Sequence, residues 1–227
     1  MATKSRRAFL SNLGVAASAA GATFAAGSTG AQAQAPSDGR FQAARHPQDD
    51  WFDQLPGKHR FFFDTTTPDR LEDAIQFTGN YYGANKSAYG LENTDLAVIV
   101  SMRHRTAPFG FNDAMWAKYG AVLAKRAEYV DPKSKETPKT NPFTPTAPAA
   151  PARARGLAGL MRMGVQFSLC NLSTRAIAGL IADATGQKTD DVYKEITANL
   201  IDQARLVPAG IIAVNRAQER GYSITGS

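Results

Sequence analysis

The chain has 227 residues, with 26 Lys or Arg against 20 Asp or Glu, which gives a net charge of +6. Its single cysteine, Cys170, has no intramolecular partner, so the fold is not stapled by disulfides. No block of Lys and Arg interleaved with aromatics stands beyond the first 35 residues, which leaves nucleic-acid binding without support.

Residues 1–35 read as an export signal. A basic start (Lys4, Arg6, Arg7) runs into Ser5-Arg6-Arg7-Ala8-Phe9-Leu10, which resembles the twin-arginine consensus. A weakly apolar stretch from Leu13 to Ala26 follows, and Ala31-Gln32-Ala33-Gln34-Ala35 offers two overlapping small-residue cleavage sites. Gly, Ser and Thr dilute the apolar stretch, whereas a spanning helix needs about 20 predominantly apolar residues. The expectation is therefore a Tat signal peptide, a periplasmic location and no membrane span in the mature chain. The signal takes three basic and no acidic side chains with it, leaving 23 basic against 20 acidic.

Residues 36–57, broken by Pro36, Pro47, Pro56 and Gly57, read as an extended N-terminal arm with an aromatic anchor at Trp51-Phe52. Lys58 to Asp64 carries Phe61-Phe62-Phe63 and predicts a buried strand. Pro68 suits a first helical position, and Leu71, Ala74, Ile75 and Thr78 keep helical spacing as far as Tyr82, with Gly83 and Gly90 as punctuation. Leu96 to Met102 is the clearest strand, β-branched and uncharged. Asn112 or Asp113 caps a helix reaching toward Tyr129, whose Trp116 and Tyr119 read as packing residues. Six prolines between residues 132 and 155 predict a surface insertion without regular structure. Beyond it come a short helix (156–163), a strand (165–170), two helices (173–184 and 189–200), a strand (204–207), a helix (211–220) and a last strand (222–225).

This alternation predicts an α/β fold with a mainly parallel sheet covered on both faces. In such folds ligands bind beyond the carboxyl ends of the strands. Here those ends are Asp64-Thr65, Arg103-His104, Cys170-Asn171 and Pro208-Ala209-Gly210, so the only cysteine and one of three histidines share that edge.

Three elements together resemble the DsrE/DsrF-like (YchN-like) family: the strand ending near His104 (Val98–His104), Gly164-Val165-x-Phe167-x-x-Cys170-Asn171, and Val207-Pro208-Ala209-Gly210-Ile211-Ile212 with Gln218-x-x-Gly221-Tyr222. The resemblance spans residues 58–227 outside the Pro-rich insertion. It implies a three-layer α/β/α domain with a five-stranded parallel sheet and assembly as a trimer or hexamer. It also implies a cysteine, at Cys170, that in several members carries sulfur as a persulfide in exchange with a donor or acceptor protein.

From the residues themselves, Cys170 is either a nucleophile or a small buried hydrophobe. The helix that begins just after it presents its positive end and favours the anionic form of sulfur. Arg103 and His104, one strand end away, add positive charge, and Asn171 and Asp64 complete the candidate binding residues. Cys170, His104 and Asp64 lack any metal-ligand spacing, so no metal is expected. Thr65-Thr66-Thr67-Pro68 replaces a dinucleotide fingerprint after the first strand, and there is no Gly-x-Ser-x-Gly elbow, so no cofactor is expected. The functional expectation is a thiol protein carrying sulfur on Cys170, with a non-catalytic oligomeric ligand-binding or scaffold protein as the alternative.

Overall fold

Five strands form one sheet in the order β4-β3-β2-β1-β5, and every neighbouring pair is parallel. They are β1 (His59–Thr65), β2 (Leu96–Met102), β3 (Gln166–Cys170), β4 (Ala204–Val207) and β5 (Ser223–Thr225). The computed structural model describes residues 42–144 and 156–226. The expected export signal, the first part of the arm and the end of the Pro-rich insertion lie outside the described residues.

Strand alternation sorts the side chains onto two faces. Phe63, Val98, Val100, Met102, Phe167 and Leu169 point to one face. There they meet α2 (Pro68–Tyr89), α3 (Asp113–Ala127), α4 (Gly156–Arg162), α5 (Asn171–Thr185) and α6 (Thr189–Thr197). Phe62, Ala97, Ile99 and Val207 point to the other face, against α1 (Trp51–Gln54) and α7 (Gly210–Gln218). The result is a three-layer α/β/α fold.

The distribution of helices follows from crossover handedness. The chain steps from β1 to β4 in one direction with its helices on one face. It then jumps back past β1 to β5, so a right-handed crossover must put α7 on the opposite face. The chain consequently leaves β3 toward one face and β4 toward the other. The carboxyl ends of those two strands flank the switch point of the sheet, where α/β proteins open a crevice.

Three features differ from the sequence expectation. Helix α2 does not stop near Gly83 but runs 22 residues to a left-handed cap at Gly90. Its buried stripe Leu71-Ala74-Thr78-Tyr82 keeps helical spacing as far as Tyr82, and neither Gly79 nor Gly83 has a close neighbour beyond the helix itself. The described part of the arm is not extended. Residues 47–49 form a 3-10 turn and 51–54 form α1, while the expected aromatic anchor is in place: Trp51 and Phe52 are buried where α7 alone leaves part of that sheet face uncovered. Finally, residues 132–144 carry no helix or strand, as expected, but they are not wholly superficial. Asn141 is buried, and its amide donates to the carbonyls of Phe109 and Phe111, both at 2.8 Å.

Candidate functional site at the carboxyl edge

Cys170 is the last residue of β3 and the N-cap of α5. Its sulfur accepts the backbone N–H of Ser173 at 3.5 Å, and the residue is 6% exposed. A sulfur atom in the capping position faces the unsatisfied N–H groups of the first helical turn, the most electropositive point of the helix. The carbonyl of Cys170 accepts the hydroxyl of Thr174 at 3.0 Å, which fixes the strand-to-helix turn.

Arg103 follows β2 directly. It grips Asp64 with two parallel bonds, Nε to Oδ1 at 2.8 Å and Nη2 to Oδ2 at 2.6 Å. Asp64 lies near the end of β1 and is buried, so the pair joins adjacent strand ends with fixed geometry. The hydrogen bond to Asp64 raises the affinity of Arg103 for its proton; partial burial opposes this, while the charges of Asp64 and of Cys170 add to it. The backbone is held as well: Arg103 N–H donates to Thr106 Oγ1 at 3.0 Å.

The far side of the Arg103 stem rests on Gly210, the first residue of α7. A Cβ placed there would lie 2.5 Å from Arg103 Cδ, so only glycine admits the side chain across the helix start. Three elements thus meet along one arginine side chain: β1 through Asp64 at the guanidinium, β2 through Arg103 itself and α7 through Gly210 at the stem.

His104 takes a different part from the one its ring suggests. Its backbone is left-handed (φ 57°) and its N–H donates to Ser173 Oγ at 3.0 Å. Ser173 therefore links the loop after β2 to the turn that holds Cys170. The His104 residue is exposed, so its contribution to this turn is made by the main chain. Asn171 opens α5 and turns its carbonyl oxygen to Tyr193, whose hydroxyl donates at 2.7 Å. That contact ties α5 to α6. Of the five residues singled out by sequence, Cys170, Arg103 and Asp64 converge through side chains, His104 joins through its backbone, and Asn171 serves the helix pair.

Sequence reasoning named Gly210 only as part of a strand end and passed over Ser173 and two strand serines, Ser101 and Ser168. The last two are register partners on β2 and β3 and both are fully buried. Neither hydroxyl has a hydrogen-bond partner among the described residues. Their signal was present as a polar residue inside a strand, alone in β2 and flanked by Phe167 and Leu169 in β3, two positions before Arg103 and Cys170.

Among the described residues no group of three or more His, Cys, Asp or Glu is arranged to hold a metal ion. No helix among them is long and apolar enough to cross a membrane. No family model matches the chain, and no curated protein matches it. Among solved structures the chain is similar to MTH1491, a protein of unknown function from Methanobacterium thermoautotrophicum. The two share 13% identity over 75% of this chain and 100% of the other, with a TM-score of 0.37. A likeness this remote says nothing of activity.

Proposed function

We propose that this is an exported, DsrE/DsrF-like protein that carries sulfane sulfur on Cys170 in the periplasm, delivered there by its twin-arginine signal and assembled as a trimer or hexamer. One observation carries the reading: the only cysteine caps a helix at the switch point of a parallel sheet, with its sulfur on a backbone N–H and a fixed arginine at the next strand end. A thiolate is the reactive form of cysteine, and helix N-termini and nearby cations favour it.

The chemistry is a sulfur exchange. The Cys170 thiolate attacks the outer sulfur of a donor persulfide; a new S–S bond forms at Sγ, the donor S–S bond breaks, and the donor leaves as its thiolate. No oxidant or reductant is consumed. The terminal sulfur on Cys170 then carries the negative charge, which the first turn of α5 and Arg103 stabilise. The test is intact-mass spectrometry after incubation with a persulfide donor. Wild type is expected to gain one sulfur atom per chain and Cys170→Ser none; equal gain by both would end the proposal.

The burial of Cys170 favours a second reading, a non-catalytic oligomeric protein that binds a small ligand or serves as a scaffold. That reading expects Cys170 to resist thiol reagents in the native state. A fast, stoichiometric reaction of the folded protein with such a reagent removes it.

A further inference from the structure

The outer surface of α3 and α5 carries an open groove that the carboxyl edge of the sheet does not use. It has a volume of about 450 Å³ and is floored by Ala121, Val122, Leu180 and Ala184. Leu180 is 44% exposed although it stands inside α5, and the small side chains at positions 121 and 184 leave the space beside it unfilled. Ten residues separate Leu180 from Cys170, about 15 Å along the helix. The groove is therefore a separate place from the cysteine.

The α3 wall of the groove is cationic. Lys125 and Arg126 both line it, and neither side chain has a partner among the described residues. Neighbouring arginines are spent: Arg70 on Asp73, Arg105 on Glu128 and Arg175 over the ring of Tyr193. Arg126 is also partly buried, so an anion beside it is attracted more strongly than in open water. Cations in a last helical turn commonly serve the free carbonyls of the helix end. Here the N–H groups of Glu128 and Tyr129 already take the carbonyls of Lys125 and Ala124, at 3.2 and 3.0 Å. Glu128, the acid on the rim, is held by Arg105 at 2.8 Å. The positive charge of this wall is left unbalanced.

We propose that the groove binds a single-chain anionic amphiphile of the fatty-carboxylate class, with the carboxylate on Arg126 and Lys125 and the alkyl chain along Leu180 and Val122. Arginine offers a carboxylate two parallel donors, and the floor presents only aliphatic side chains to the alkyl chain. The volume falls within the range of small-ligand clefts. A protein partner covers about 800 Å² per side. Along α3 the groove is closed by the Lys118–Glu195 ion pair at one end and the Arg105–Glu128 pair at the other. The apolar surface is thereby confined to the length of one short chain. Binding here is independent of sulfur chemistry at Cys170.

Calorimetric titration of the mature chain with decanoate, kept monomeric, is expected to saturate at one molecule per chain. Octanoate should bind about four-fold or more weakly, because two methylenes leave the groove, and acetate should show no saturable binding. The double change Lys125→Ala and Arg126→Ala is expected to weaken decanoate about ten-fold and to leave decanol, the same chain without the charge, unchanged. Leu180→Glu should abolish decanoate binding, whereas Phe77→Glu, at an exposed position on α2, should not alter it. Both positions are exposed, so melting temperatures close to wild type are expected for the two variants. No saturable decanoate binding, equal losses for Leu180→Glu and Phe77→Glu, or equal decanoate affinity with and without the two cations overturns the site. A lower subunit count for Leu180→Glu in native mass spectrometry also overturns it, by making the groove a contact between copies of the chain. Sulfur loading of Cys170 is read separately, so either result leaves the carrier reading to its own test.

Discussion

The two faces of the sheet are built differently. On the face of α2 to α6, buried residues from five helices and three strands interlock around Phe167, Trp116 and Leu123, and the polar exceptions are few. On the face of α7 the cover is thin: one nine-residue helix and the short segment around Trp51 and Phe52. There, apolar burial is supplemented by charge. Arg220, fully buried along its side chain, donates to Asp53 Oδ2 at 3.2 Å, Arg216 approaches Asp49 at 3.5 Å, and Arg60 donates to Asp53 Oδ1 at 3.1 Å. The Tyr222 hydroxyl donates to the Phe52 carbonyl at 2.7 Å. The thick face supplies stability, and the thin face holds the serines, the Arg103–Asp64 pair and Cys170. Thin cover is where polar chemistry is tolerated, because fewer apolar contacts are given up to place it.

Truncating one large aromatic on each face tests that division most severely. Phe167→Ala is expected to lower global stability by about 3–5 kcal/mol in urea denaturation. Phe52→Ala is expected to lower it by less, about 2–3 kcal/mol, because only the docking of residues 47–54 is lost. It should also expose the chain near Arg45 to trypsin under native conditions, which Phe167→Ala should do only through global unfolding. Equal losses, with no difference in native-state cleavage, would make the two faces energetically alike.

Asp53→Ala is the next smaller change. It removes the carboxylate shared by Arg45, Arg60 and Arg220 and leaves the buried Arg220 charge without its acid. Asp53 is itself 41% exposed, so the loss is reduced by solvent to about 2 kcal/mol. A shift in the urea midpoint reads it; a midpoint within error of wild type would show that the ion pairs on the thin face are decorative.

The smallest contrast is between two tyrosines, one per face. Burial pushes both hydroxyls up to about 12. Tyr222 spends its hydroxyl on Phe52, while the Tyr82 hydroxyl has no partner among the described residues. Tyr222→Phe should therefore cost about 1 kcal/mol and Tyr82→Phe close to nothing, read by urea denaturation at neutral pH. Because the folded state favours the protonated form of both, their contribution is complete below the ordinary tyrosine value of 10.0 and is lost as pH rises from there through about 12. The double Phe variant should flatten the alkaline fall in stability. A fall of unchanged slope would assign it to other groups.

Much of this arrangement was readable from the chain. Hydrophobic alternation and β-branching marked all five strands to within a residue of their ends, and Asn112 marked the start of α3. The edge residues Asp64, Arg103 and Cys170 followed from strand ends alone, since parallel strands bring their carboxyl termini to one side. The continuation of α2 through Gly83 was missed because local propensity disfavours glycine and no buried residue beyond Tyr82 marks the helix, which runs on to its left-handed cap at Gly90. In the arm the aromatic anchor Trp51-Phe52 was legible but the turns around it were not: the prolines describe local backbone, whereas the sheet face on which the anchor docks is left open by a distant crossover.

Sequence by itself determined the periods, and with them the strands, the helices and which residues stand at the edge. Only the tertiary structure decided the roles at that edge. It placed α7 on the far face, laid Arg103 across Gly210, and paired Ser101 with Ser168 beneath them. It gave His104 a main-chain role through Ser173 and gave Asn171 to Tyr193. The reason is range. Periodicity acts over a few neighbours, but these contacts join residues up to more than a hundred positions apart, and only strand order and crossover handedness bring them together.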